Sequence, residues 1–180
     1  MTKIINIIGG PCAGKSTLAS YLFFVMKKLD LNVEYVQEYI KNLIYNEQFD
    51  KLNDQYMVSY NQYKSIKVLQ NKLDYVILDT SLLSQIYYNE TNINNVSNVE
   101  KTKENILKWY NEFENINIFL NRGNIKFEKF GRIHDREESL NIDNKLKELL
   151  NFYNFDYYET SNDKINNDET EIQKIISYVK

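Results

Sequence analysis

The sequence predicts an α/β fold, a parallel sheet with helices on both faces and a phosphate-binding loop after the first strand. Three observations carry that reading. The stretch Gly9-Gly10-Pro11-Cys12-Ala13-Gly14-Lys15-Ser16-Thr17 satisfies G-x-x-x-x-G-K-[ST], with an apolar run before it and a helical pattern after it. Short apolar runs then alternate with stretches of helical periodicity along the rest of the chain. The 180 residues suit one such domain with a sizeable core.

Lys3 to Ile8 reads as a central strand covered on both faces. From Lys15, the residues Leu18, Leu22, Val25, Met26 and Leu29 recur at helical spacing. Val33 to Gln37 is a second strand, followed by a helix over Tyr39 to Asn46. A longer helix runs from Asn53 or Asp54 to Asn71, with Tyr56, Tyr60, Tyr63 and Ile66 on one side. Asp74 to Asp79 is the third strand. The Asn-rich stretch from Asn89 to Asn98 reads as a surface loop, and Val99 to Phe113 as a helix. Ile116 to Leu120 is the fourth strand, Glu138 to Leu150 a helix, Phe152 to Glu159 the fifth strand and Asp168 to Val179 a last amphipathic helix.

Chemistry follows from residue type and position. Glycines let the loop turn its N–H groups inward around phosphate oxygens, and the following helix N-terminus favours negative charge. Lys15 would reach the β- and γ-phosphates, and the Ser16 hydroxyl would ligate Mg²⁺. Thr17 would support the loop or the α-phosphate. Ligand crevices of open α/β sheets lie beyond the C-terminal strand ends, where Glu38 and Asp79 stand. Glu38 would hold a substrate hydroxyl or act as base, or else serve as a helix-capping carboxylate. Asp79 resembles a Walker B acid, facing Mg²⁺ or accepting a proton; the alternative is a cap for a helix starting at Ser81. Gln55 and Gln62 lie two turns apart on one helix face, either reading a polar ring or standing in solvent.

All three arginines, Arg122, Arg132 and Arg136, fall within Asn121 to Glu137 of a lysine-biased sequence. Guanidinium forks bind phosphates bidentately, so this stretch reads as a lid over the donor phosphates, with Gly123 and Gly131 as its flexible points. His134, the one histidine, lies inside it.

The formal net charge of −3 argues against a global nucleic-acid-binding surface. The single cysteine, Cys12, excludes an internal disulfide, and no signal-peptide or membrane-spanning pattern is expected, which points to a cytoplasmic setting.

Taken together, the phosphate loop, Glu38-Tyr39, Asp54-Gln55, Leu78-Asp79-Thr80, Phe119-Leu120-Asn121-Arg122 and Gly131-Arg132 resemble the small P-loop ATPase/kinase family that includes nicotinamide riboside kinase domains and phage-encoded nucleoside and nucleotide kinase-like proteins. The resemblance implies a P-loop NTPase fold with five parallel strands in the order 2-3-1-4-5 and an Arg-bearing lid. It implies ATP and Mg²⁺ as cofactors, with Gly9 to Thr17 and Arg122 at the nucleotide, Ser16 and Asp79 at the metal and Glu38 at the acceptor; Gln55 and Gln62 join the acceptor side on their helix spacing alone. Lys15, Asp79, Glu38, Arg132 and Arg136 are the expected catalytic groups. The expected partner is a nucleoside- or nucleotide-like small molecule. The rivals are a DNA acceptor and a nucleotide-dependent ATPase switch.

Overall fold

Five strands form one all-parallel sheet in a computed structural model that describes residues 1–125 and 135–180. They are β1 (Lys3–Ile8), β2 (Val33–Val36), β3 (Tyr75–Leu78), β4 (Glu114–Asn121) and β5 (Tyr158–Ser161). Their order, β2-β3-β1-β4-β5, is the expected one. β1 pairs with β3 from Lys3 opposite Tyr75 and with β4 from Lys3 opposite Glu114, so it occupies the middle.

Alternation along the strands splits the apolar residues between two faces. Ile5, Ile7, Ile77 and Ile118 pack with Leu18, Leu22 and Met26 of α1 (Lys15–Lys28) and Ile172, Ile175 and Val179 of α8 (Glu171–Val179). Ile4, Ile8, Val76, Leu78 and Phe119 turn the other way. They meet Ile66 of α3 (Gln55–Lys67), Leu82 and Ile86 of α4 (Leu82–Thr91), Ile106 and Trp109 of α5 (Val99–Tyr110), and Ile142 and Leu146 of α6 (Arg136–Phe152). Among the described residues the remaining helices are short: α2 (Tyr39–Tyr45) follows β2, a 3-10 turn (Phe49–Asn53) leads into α3, and α7 (Asn162–Asn167) follows β5. Asn6, the polar interruption of the first apolar run, is buried and donates to Asn117 Oδ1 at 3.3 Å and Asn115 Oδ1 at 3.0 Å.

Element boundaries moved where local propensity misled. The Asn-rich stretch begins inside α4: Asn89 is buried and donates to the Val99 carbonyl at 2.9 Å, tying α4 to α5. The aromatic run from Phe152 reads as strand because Phe and Tyr favour sheets. Instead α6 continues through Phe152, the chain reverses at Asn154 in the left-handed region (φ 54), and β5 starts only at Tyr158. The expected lid falls largely outside the described residues, Gly131, Arg132 and His134 with it. Its described edges are Asn121 at the end of β4 and Arg136, exposed in the first turn of α6.

Candidate functional site

The loop between β1 and α1 lies where the sheet's C-terminal edge meets a cavity of about 320 Å³. Residues 12–17 of the loop line it, with Glu38, Lys41, Asp79, Ile125, Asn162 and Asn166. Gly14 occupies the N-cap of α1 at φ 89, a conformation that a side chain resists. Space demands glycine as well, since a Cβ there would lie 2.7 Å from Asn162 Oδ1. The Asn162 amide in turn donates to the Ala13 carbonyl at 2.6 Å and to the Arg122 carbonyl at 3.1 Å, binding β4, α7 and the loop together.

A second brace comes from α6. Asp143 accepts from the Gly10 N–H at 2.5 Å with one oxygen and from Arg122 Nε and Nη2 at 2.9 and 2.7 Å with the other. Arg122 also donates to the carbonyls of Pro11 and Ser139, each at 3.1 Å. Gly10 has to be glycine here because a Cβ would fall 2.6 Å from the Ser139 carbonyl. Arg122, expected at the nucleotide, is thus buried behind the loop and grips its backbone instead of lining the cavity. The reason is its long reach from the end of β4 to an acid on α6, a pairing that no local pattern announces.

Asp79 follows β3 and is fully buried. The alternative in which it caps the next helix is set aside, because Ser81 performs that task, its hydroxyl accepting from Leu83 N at 3.2 Å. Asp79 Oδ2 accepts from the Ser16 hydroxyl at 2.7 Å and the Tyr35 hydroxyl at 2.9 Å, and is in direct contact with the Lys41 ammonium. Oδ1 accepts from the Glu38 N–H at 2.8 Å. Burial alone would push the carboxyl pKa up, but Lys41, Ser16 and Tyr35 outweigh it and hold it below the ordinary value. Burial and the facing Asp79 charge push the Tyr35 phenol up.

Glu38 stands at the N-cap of α2 without a side-chain capping bond, and it lines the cavity. Gln55 and Gln62 are both buried, so solvated glutamine is not their state, yet neither lines the cavity. Gln55 donates to the Leu52 carbonyl at 2.6 Å, and Gln62 accepts from Tyr39 N at 2.7 Å, one residue from Glu38. Gln55 Oε1, Gln62 Nε2 and Gln85 Oε1 are buried polar atoms without a hydrogen-bond partner among the described residues. Lys15 donates to the Gly10 carbonyl at 2.8 Å.

Lys41, Tyr35, Asp143, Asn162 and Gln85 escaped the sequence reading. Lysine, tyrosine and asparagine are too abundant in this chain to stand out. For Lys41, its place three residues after Glu38, one helical turn along α2, was the available signal.

The residues fit a divalent cation of the magnesium type. Two neighbouring ligands of octahedral Mg²⁺ lie about 3 Å apart, and the Ser16 and Asp79 oxygens are 2.7 Å apart. Among the described residues, no group of three or more His, Cys, Asp or Glu side chains could hold a metal ion. Phosphate oxygens and water would therefore supply the other ligands, as is usual for Mg²⁺ at nucleotide sites. Among those residues, too, no helix is long and apolar enough to cross a membrane.

Sheet order and loop together define a P-loop NTPase fold. A family profile described as an AAA domain matches residues 4–167, and the chain belongs to that family. Curated proteins offer no match. Among solved structures, the fold is similar to deoxyadenosine kinase from M. mycoides. With the products dCMP and a flexible dCDP bound, that enzyme gives a TM-score of 0.57 at 19% identity, covering 98% of this chain and 97% of the other. With dCTP the values are 0.57 and 18%, covering 97% of each chain; with dATP they are 0.56 and 22%, covering 98% of each.

Proposed function

We propose that this protein is an ATP- and Mg²⁺-dependent kinase that transfers the γ-phosphoryl group to a nucleoside, nucleotide or similar small acceptor. The observation that carries the reading is the meeting of Ser16, Asp79 and Glu38 on one cavity at the sheet's C-terminal edge, beside the phosphate loop. A nucleotide switch needs the loop and a metal-side acid; a second carboxylate facing the same cavity gives an acceptor hydroxyl somewhere to send its proton.

In this reading the loop N–H groups and Lys15 hold the donor phosphates, and Ser16 and Asp79 hold Mg²⁺, which neutralises developing charge when bound. The acceptor oxygen attacks the γ-phosphorus, the bond to the β–γ bridging oxygen breaks and ADP leaves. The hydroxyl proton passes to Glu38. Asp79 is the second candidate for that role, although its four hydrogen-bond partners and lowered pKa suit it better to a fixed charge. Arg132 and Arg136 belong to the proposed lid, where guanidinium groups stabilise the transferring phosphoryl. Gln55 and Gln62, which do not line this cavity, would read the part of the acceptor that extends beyond it toward α3. Support for a nucleoside-like acceptor comes from the similar M. mycoides enzyme, whose structures hold dCMP, dCTP and dATP.

A DNA acceptor would need an open aromatic and basic track. Tyr56, Tyr60 and Tyr63 instead pack on Trp109 at ring distances of 5.7, 5.6 and 5.0 Å. Lys67 pairs with Glu112 at 2.6 Å. The small acceptor is favoured accordingly.

The test is transfer of label from γ-labelled ATP to a panel of nucleosides, nucleoside monophosphates, nicotinamide riboside and DNA, with Lys15→Ala as blank. A labelled small molecule is the expected result. Labelled DNA would replace the acceptor class, and labelled free phosphate alone would replace transfer with hydrolysis.

A further inference from the structure

α2 begins directly after Glu38, with Tyr39 N held by Gln62 Oε1 at 2.7 Å. That bond ties the first turn of α2 to α3, and Lys41, one turn after Glu38, lines the same cavity. A lysine in a first helical turn runs against the partial positive charge of the helix N-terminus. Here the position is compensated from outside the helix. The Lys41 ammonium lies 2.6 Å from Ser16 Oγ and in direct contact with Asp79 Oδ2, while those two oxygens are 2.7 Å from each other. Its side chain is 19% exposed and that of Asp79 is 0% exposed.

We infer that Lys41 is an internal counter-ion of the metal subsite, seated on the two oxygens that take the divalent cation in the function proposed above. The inference rests on that assignment of Ser16 and Asp79. An ammonium and Mg²⁺ cannot share both oxygens, because each needs them at contact distance and the two charges repel. Loading is therefore an exchange: the cation displaces Lys41, and the ammonium turns into the cavity that it already lines, where bound phosphates balance its charge. A bound nucleotide gives the displaced ammonium phosphate charge beyond that of Glu38, the carboxylate lining the same cavity. Metal and nucleotide thus bind as a coupled pair, each strengthening the other by the same factor. Lys41 meanwhile balances the charge of a buried carboxylate whose other donors, Ser16, Tyr35 and the Glu38 N–H, are neutral.

The experiment measures Mn²⁺ binding to the full chain by loss of the free-ion electron paramagnetic resonance signal, with and without ADP, each reading corrected by a protein-free sample at the same ADP concentration because ADP itself chelates the ion. Wild type is expected to bind bare Mn²⁺ weakly and to gain strongly when ADP is added. Lys41→Met should bind bare Mn²⁺ about ten-fold tighter or more, with the mutual enhancement between Mn²⁺ and ADP shrinking by a similar factor. The gain should persist at about 0.5 M KCl, where a merely general charge effect is screened, and should vanish when Asp79→Asn is added. Lys41→Gln carries the same expectation, and thermal melting establishes that each variant is folded. Equal binding of bare Mn²⁺ by wild type and both variants overturns the inference and leaves the metal assignment intact. A gain that survives Asp79→Asn or disappears in salt overturns it as well. Failure of every protein to bind Mn²⁺ even with ADP removes the metal assignment and the inference together.

Discussion

Around the phosphate loop polar groups are paired within the protein, whereas on α3 and α4 three buried glutamines keep atoms that meet no partner among the described residues. Gly10 N–H, the Pro11 carbonyl and the Ala13 carbonyl are each held by a side chain from a distant element, namely Asp143, Arg122 and Asn162. Gln55 Oε1, Gln62 Nε2 and Gln85 Oε1 are buried without such bonds. A buried unpaired polar atom costs about 1–3 kcal/mol, so the second region carries a penalty that the first avoids. The contrast teaches how the labour is divided. In the proposed function a phosphate is the same in every nucleotide and its loop is fixed in advance, whereas an acceptor has to be told from its rivals; the glutamine atoms would serve that end where an acceptor opened and paired them.

Four changes would break or sharpen that contrast. Lys15→Ala is expected to lower phosphoryl transfer by about 10³-fold or more while leaving the melting temperature unchanged, because it removes charge stabilisation without touching the core. Rate and melt are measured on the same preparation, and normal turnover would refute the assignment. Asp143→Ala should destabilise the fold by about 3 kcal/mol, since it leaves the buried Arg122 guanidinium without its carboxylate. Denaturant unfolding reads this, and nucleotide affinity should fall with it; an unchanged midpoint would mean that the brace is ornamental. Gln62→Leu removes the bond to Tyr39 N, worth about 1 kcal/mol in stability. In steady-state kinetics it should raise the KM for the acceptor about ten-fold while the KM for ATP stays put, and equal changes in both would dissolve the distinction between the two regions.

The smallest effect is on the pH dependence of stability. The folded pKa of Asp79 lies below its unfolded value. Its contribution is therefore complete above pH about 4 and fades as acidification carries the pH down through the folded value. Urea unfolding across that range should show a weaker decline for Asp79→Asn than for wild type; identical slopes would mean that the site contributes nothing to acid stability.

Much of this molecule is written in contiguous stretches. The loop, Gly14 at its positive φ, and Glu38 and Asp79 at strand ends can be named from the chain alone, because each depends on neighbours within a few residues and on a strand or helix whose period is visible. Strand order came with the family resemblance that those stretches carry, and the sheet has that order. What tertiary structure decided is how distant side chains meet. Asn162 reaches a carbonyl 149 residues away, Asp143 takes Gly10 from 133 away, and Lys41 finds Asp79 from 38 away. No periodicity records such pairings, since they come from the packing of α2, α6 and α7 around the sheet. Arg122 makes the same point in reverse: its residue type suggested phosphate, but burial beside Asp143 gave its charge a partner inside the protein.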